Sequence, residues 1–447
     1  MRLYVKEFLA GLAVVFCDLM LSTAAICGDD WPHWRGPDRN DIIDESSGWT
    51  ADGWRSSEAA WKQNVGEGST SPIVVGDRVF VMGWRDEQDF VCCLDAKTGK
   101  EDWSVSYKCP RYGRLAMGDE GLYSGPTSTP EYDEATAFLY TLSCDGDLNC
   151  WDTNQRGHRV WSINLYDTYT IHRRPKVGRS AQRDYGYTTA PLVHGDWVIV
   201  EAGADEGTFL AWDKKTGLQI WQSEAKGSAG HTGGMMPMMV DDVSCIAAMT
   251  FQGLLVTRLD AGHEGRTVAQ YEWITDFANN IATPTVHENY VLITSAYNHQ
   301  AICKLEITLQ GARKIWEQPF PSKVCSPIIH NRHIYFAWQR MRCLDFETGE
   351  QKWEGGTFSD PGSCIVTTDN RIIVWGGRGR LALVDTADRS PTAYNEVDSI
   401  DNVFSTDVWP HVALSNGRLF CKDRDGNIAC FETVDPPVSG PVKKDAP

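Results

Sequence analysis

Apolar positions along the chain fall in short alternating runs broken by Gly, Asp and Asn. Ile73-Val74-Val75 is followed by Gly76-Asp77 and then by Arg78-Val79-Phe80-Val81. Leu192-Val193-His194 leads through Gly195-Asp196 to Trp197-Val198-Ile199-Val200, and Leu414-Ser415 through Asn416-Gly417 to Arg418-Leu419-Phe420. Gly and Asn tolerate the positive φ of tight turns, so each stretch predicts a β-hairpin. The hairpins belong to a larger unit. It opens with a small polar residue and proline ahead of an apolar strand, and it often closes on Asp, then Thr-Gly, then Trp.

Three closings are complete: Asp95, Thr98, Gly99 and Trp103; Asp213, Thr216, Gly217 and Trp221; Asp345, Thr348, Gly349 and Trp353. A looser copy runs from Asp152 through Gly157 to Trp161, and Trp273 and Trp316 close two units whose turns have drifted. Asp and Thr side chains bond nearby amides to hold the turn, Gly takes the left-handed position, and the Trp ring fills the wedge between neighbouring sheets. The openings are Pro72, Pro130, Pro191, Pro237, Pro284 and Pro327, a degenerate one near Cys364, and Pro410. Eight units with spacings of 37 to 61 residues suit four-stranded blades. The predicted fold class is therefore all-β, an eight-bladed β-propeller of four-stranded antiparallel blades. A single blade leaves apolar faces bare, so the blades stack and close into a ring without long free edges.

Closure assigns the chain ends. The eighth unit stops at Ile428-Ala429-Cys430-Phe431 with no Trp after it, whereas Ala59-Ala60-Trp61-Lys62 precedes the first unit and resembles an outer strand. An N-terminal strand is thus expected to complete the last blade. The domain reading is a signal peptide at 1–25, a Trp-rich lead-in at 26–58 packed on the ring, the propeller at 59–432 and a disordered tail at 433–447. The signal peptide rests on Arg2 and Lys6 ahead of an apolar stretch that ends in Ser22-Thr23-Ala24-Ala25. It implies a periplasmic or secreted protein with no transmembrane span in the mature chain. Cys27 offers lipidation as a secondary reading, although bulky Ile26 before it does not suit that reaction.

Charge narrows the partners. With 60 acidic against 42 basic residues the net charge is −18, and no basic cluster dominates, which argues against nucleic acid. The 14 cysteines show no C-x-x-C spacing for zinc. Export permits disulfides. Cys144 with Cys150 and Cys421 with Cys430 flank turns, where either a cross-strand bridge or two small apolar residues would serve.

These units resemble the PQQ-like propeller repeat family, whose repeats end in Asp-x-x-Thr-Gly-x-x-x-Trp and whose rings commonly have eight blades. The likeness covers about residues 59–432, and Trp31-Pro32-His33-Trp34-Arg35-Gly36-Pro37 looks like the start of many secreted bacterial members. WD-repeat proteins share the Trp151-Asp152 and Trp212-Asp213 pairs, but the regular Gly-His start is missing. The resemblance implies one of two functions. Quinoprotein dehydrogenases of the family hold pyrroloquinoline quinone (PQQ) and calcium at the ring axis beneath a cover of two adjacent cysteines. Other members are non-catalytic, such as the lipoprotein subunit of the outer-membrane protein assembly machine.

Cys92-Cys93 has the adjacency of such a cover but runs directly into Leu94-Asp95, on the strand entering a repeat turn and away from the axis. Mouth segments ahead of the inner strands supply the candidate contacts Arg183, Asp184, Tyr185, His231, Asn280 and Lys323. The longest insertion, Leu165 to Tyr187, is a basic island suited either to an anion or partner contact or to pairing with neighbouring acids. The methionines 235, 236, 238 and 239 read as core packing rather than a copper site. No nucleophile elbow, His-Glu-x-x-His or phosphate-binding Gly-Lys loop occurs. The expectation is a monomeric, non-catalytic binding or scaffold propeller that meets a protein or glycan partner at its channel mouth and needs no cofactor. The alternative is a PQQ- and calcium-dependent alcohol or sugar dehydrogenase.

Overall fold

In the computed structural model, residues 30–433 are described apart from 55–56, 172–173, 175–183, 276–278 and 361. The segment expected to be a signal peptide, Cys27 and all of the expected tail but Thr433 lie outside the described residues. Eight antiparallel sheets follow one another in chain order, with a two-stranded ribbon of Trp49–Thr50 and Gly53–Trp54 on the lead-in. Their inner strands begin at Ile73, Glu131, Leu192, Met236, Thr285, Ile328, Ser363 and Ala413, defining blades 1 to 8. Seven sheets have four strands. In blade 6 the second and third strands run as one element, His333–Asp345, with a positive φ at Gln339, so that sheet has three.

Blade 8 is completed as the terminal residues require. Trp61–Asn64 pairs antiparallel with Asn427–Glu432, placing Trp61 opposite Cys430 and Asn64 opposite Asn427. Apolar clusters then join each neighbouring pair of blades around the ring. One spans blades 7, 8 and 1, another blades 5, 6 and 7, and four smaller ones link blades 1 to 2, 2 to 3, 3 to 4 and 4 to 5. A blade is two-sided, so both faces of its central strands are buried, as in Arg371–Gly376 of blade 7.

The repeat turn works at atomic scale. Asp95 accepts hydrogen bonds from the Thr98 amide and hydroxyl, both at 2.7 Å, and Gly99 sits at φ +69°. That glycine has a second reason. A Cβ there would lie 2.5 Å from the ring of Trp61, which comes from the preceding blade. Gly157 lies in the same way against Trp103, Gly217 against Trp161 and Gly349 against Trp316. The indoles of Trp61, Trp161 and Trp316 also donate to backbone oxygens of Ala96, Lys214 and Phe346 in the next blade.

Two sequence expectations need correction. Trp273 does not hold the repeat position of blade 4. Ala269 does, standing beside the bulge that recurs in these outer strands, whereas Trp273 follows the strand, stacks on His299 and donates to Ser295. The proposed cysteine pairings also fail. Cys421 stands opposite Ala429 and Cys430 opposite Phe420, so consecutive pairing puts the two sulfurs on opposite faces of the sheet. Cys150 stands opposite Tyr140 within a strand, while Cys144 lies beyond the strand end and meets Cys109 instead.

The lead-in enters the ring axis. Trp31 exchanges two backbone hydrogen bonds with Val74 of blade 1, and Ile42 bridges to Val366 of blade 7. Between these anchors, fully buried Arg35 pairs with Asp41 and donates to Thr285 of blade 5 and to the Pro327 carbonyl of blade 6. Asp41 also meets His411 of blade 8 at 2.8 Å. Arg39 and His33 converge on buried Glu131 of blade 2. Burial opposes ionisation of Glu131, but Arg39 and His33 overcome it and bring its carboxyl down to about 2.

Candidate functional site: an aromatic recess at the channel mouth

Inner strands begin near the axis, so the residues just ahead of them ring the mouth. Ser69, Thr127, Thr188, Ile281 and Val324 each stand three positions before a repeat proline, and all face one recess. In blade 4 the lining residue is Gly233, four positions before Pro237. Trp34 of the lead-in also lines the recess, with its indole bonded to Thr283. A Cβ at either Gly233 or Gly234 would strike that ring, at 2.4 and 2.5 Å, so two successive glycines let the backbone approach it.

Three further rings complete the lining. Tyr123 stacks on Trp409 with centroids 4.2 Å apart and planes at 20°, and Tyr185 lies 5.8 Å from Tyr123 and 6.3 Å from Trp409. At the rim, Arg424 lies over Tyr123 and donates to the Leu122 carbonyl. Burial pushes the Tyr123 phenol up to about 12, so it remains a neutral hydroxyl at physiological pH. The Trp409 Nε1 atom is buried without a partner. Such an assembly presents flat apolar faces with a few hydroxyls, a surface suited to stacking against a ring or an apolar side chain.

The candidate residues divide between this recess and its support. Tyr185 and His231 line it. Asp184 stands behind them, ion-paired with buried Arg174 at 2.5 Å and accepting from the Gly186 amide. Burial disfavours the Asp184 carboxylate, but Arg174, His231 and Gly186 outweigh it and hold the group well below the usual range. His231 has Asp184 at 3.5 Å on one side and Asn279 at 3.1 Å on the other, and burial keeps its imidazole below the ordinary value. It is therefore neutral near pH 7. Asn280 is a backbone clamp whose amide donates to the Thr250 and Trp273 carbonyls. Lys323 is paired with Asp360, which also accepts from Trp338. Arg183 lies outside the described residues, as do Lys176 and Arg179. Within the basic island Arg174 is an internal counter-ion, bonded also to the Ala229 carbonyl.

Trp34 and Trp409 are among the contributors missed by sequence reasoning. Trp409 carried a positional signal, standing just ahead of Pro410 at the start of the eighth unit. Trp34 carried none, because its place follows from the path of the lead-in through the axis.

PQQ is a flat tricarboxylate, and in the enzymes of this fold it is held with calcium by hard oxygen ligands. The recess does not fit that group. Among the described residues its lining has no carboxylate, Arg or Lys. Three nearby acids are committed: Asp184 to Arg174, Asp360 to Lys323, and Glu201 to Thr189 and the Gly230 amide. Thr232 Oγ1 and Asn280 Oδ1 are buried without partners but are neutral. No group of three or more His, Cys, Asp or Glu side chains suited to a metal occurs among the described residues. Cys92 and Cys93 are buried inside the blade 1 sheet, opposite Val81 and Phe80.

Comparisons with known proteins agree on the architecture. A family model described as outer membrane protein assembly factor BamB matches residues 43–166 and 127–355. No curated protein matches the chain. Among solved structures, BamB from Moraxella catarrhalis is 15% identical with a TM-score of 0.56, covering 84% of this chain and 97% of its own. A europium-containing methanol dehydrogenase is 12% identical, with a TM-score of 0.60 and coverage of 88% and 90%. The quinohemoprotein alcohol dehydrogenase from Comamonas testosteroni is 13% identical, with a TM-score of 0.61 and coverage of 91% and 81%. At such identities the likeness concerns the fold, which binding proteins and oxidoreductases share.

Proposed function

Since the chain belongs to the PQQ-like propeller repeat family, matched through the model described as outer membrane protein assembly factor BamB, we propose that it is an exported, non-catalytic binding propeller whose axial recess receives a protein or glycan partner. One observation carries this reading. The mouth offers stacked Tyr123 and Trp409 with Tyr185 and Trp34 in a lining without charge, while Asp184 and Asp360 are tied to Arg174 and Lys323. Apolar ring faces bind sugar rings or aromatic and aliphatic side chains through contact area, with hydroxyls such as Ser69 and Thr127 setting orientation. Neutral His231, braced by Asp184 and Asn279, is a positioning group for Tyr185, whose ring it meets edge-on at 5.0 Å.

Trp34 and Trp409 make the recess its own reporter. Titration with a set of oligosaccharides and with aromatic-containing peptides should give a saturable change in tryptophan fluorescence for one class. Tyr123→Ala should weaken that binding about tenfold or more, consistent with loss of a central aromatic contact. Alcohol or sugar oxidation that requires added PQQ and calcium and disappears on chelation would replace this reading with the dehydrogenase one.

A further inference from the structure

Twelve cysteines are described, all buried and none in a disulfide. Two pairs differ from the rest by sulfur contact. Cys109 Sγ lies 3.9 Å from Cys144 Sγ, and Cys325 Sγ lies 3.6 Å from Cys364 Sγ. Both contacts cross from one blade to the next. Cys109 follows the outer strand Glu101–Lys108 of blade 1, while Cys144 occupies the turn between Phe138–Leu142 and Asp147–Asp152 of blade 2. Cys325 precedes the inner strand Ile328–His330 of blade 6, and Cys364 lies within the inner strand Ser363–Val366 of blade 7. No other sulfur pair among the described cysteines makes such a contact. The remaining eight occupy blade strands, where they serve as small apolar residues.

We infer that Cys109 with Cys144 and Cys325 with Cys364 are two oxidation sites, each forming a disulfide that staples neighbouring blades. Their sequence separations are 35 and 39 residues, so each bond would close a loop of about one blade and restrain the unfolded chain accordingly. The surroundings determine when they form. Hydrogen bonding to Cys144 and burial hold the Cys109 thiol far above its ordinary value, and burial does the same for Cys364. All four sulfurs are buried in the closed ring, out of an oxidant's reach. Oxidation therefore belongs to folding, before the blades seal.

The chemistry is thiol–disulfide exchange with a small or protein disulfide as oxidant. One cysteine thiolate attacks the oxidant's disulfide, forming a mixed disulfide and expelling one oxidant sulfur as thiolate. The partner cysteine then attacks the protein-side sulfur and expels the second. Two protein thiols lose two electrons and two protons, and the oxidant gains them as two thiols. The reaction requires only a disulfide oxidant, such as glutathione disulfide.

The test is to refold the full chain from denaturant in a glutathione redox couple, quench it with acid, and alkylate it under denaturing, non-reducing conditions. Mass spectrometry should find four fewer alkylated cysteines than in a reduced control, with digest peptides joining residue 109 to 144 and 325 to 364. Cys109→Ser should free Cys144 for alkylation and leave the second cross-link intact. Full alkylation, or cross-links between other cysteines such as 421 and 430, would overturn the inference, and absence of either cross-link overturns it for that pair. Mapping the unsubstituted chain suffices if the variant does not fold.

Discussion

Asp89 shows how a single side chain sets the response of this ring to pH. It lies inside blade 1 with one carboxyl oxygen 3.3 Å from the Tyr107 hydroxyl and the other without a partner. Burial pushes it up to about 7. An unfolded aspartate ionises near 4. Between those values the unfolded chain holds fewer protons than the native one, so stability falls as pH rises through the window and levels off above it. Asp89→Asn should remove that loss. Its advantage should be absent near pH 4 and grow to at most about 4 kcal/mol by pH 8, read from urea midpoints at the two values. Lys422 acts in the opposite sense. Burial brings it down to about 7 while its ammonium donates to the Gly68 carbonyl, so its contribution rises between about 7 and the ordinary lysine range.

Among the elements, the repeat turn is where adjacent blades lock. Gly99 and Gly76 both have positive φ, +69° and +58°, but only Gly99 faces a ring; nothing lies within 4 Å of a Cβ at Gly76. Gly76→Ala should therefore cost about 1–2 kcal/mol from backbone strain alone. Gly99→Ala should add about 1–3 kcal/mol from crowding Trp61. Chemical denaturation of the two variants side by side separates these contributions. This turn was also the most legible part of the sequence, because its Asp, Thr and Gly stand within five positions and its Trp recurs at a fixed place after them. Closure by Trp61 was legible for the related reason that a blade without an outer strand must find one. What the chain did not announce depended on distant partners. Ala269 replaces a tryptophan at the blade 4 contact, and Cys109 meets Cys144 across a blade boundary. The mouth was legible as a set of segments just ahead of the inner strands, five of which place a lining residue three positions before the repeat proline. The stacking of Tyr123 on Trp409 was not, because it joins residues 286 positions apart around the ring.

At the scale of the whole molecule, the lead-in and the ring depend on each other. Arg35 is fully buried and its charge is met by Asp41, which also holds His411, so the lead-in and blade 8 share one buried polar cluster. Removing one partner from a buried pair typically costs about 3–5 kcal/mol because the remaining charge is uncompensated. Asp41→Ala should lower the stability of the entire ring by that amount in a single cooperative transition, monitored by circular dichroism. A transition split in two, with the lead-in melting first, would show that the cluster anchors only the lead-in.

The lead-in bonds across the axis, through Arg35 to blades 5 and 6, Arg39 to blade 2 and Asp41 to blade 8. On the proposed reading, a ligand against the tyrosines would meet this crossing chain rather than an open bore, so the lead-in would serve as the floor of a cup.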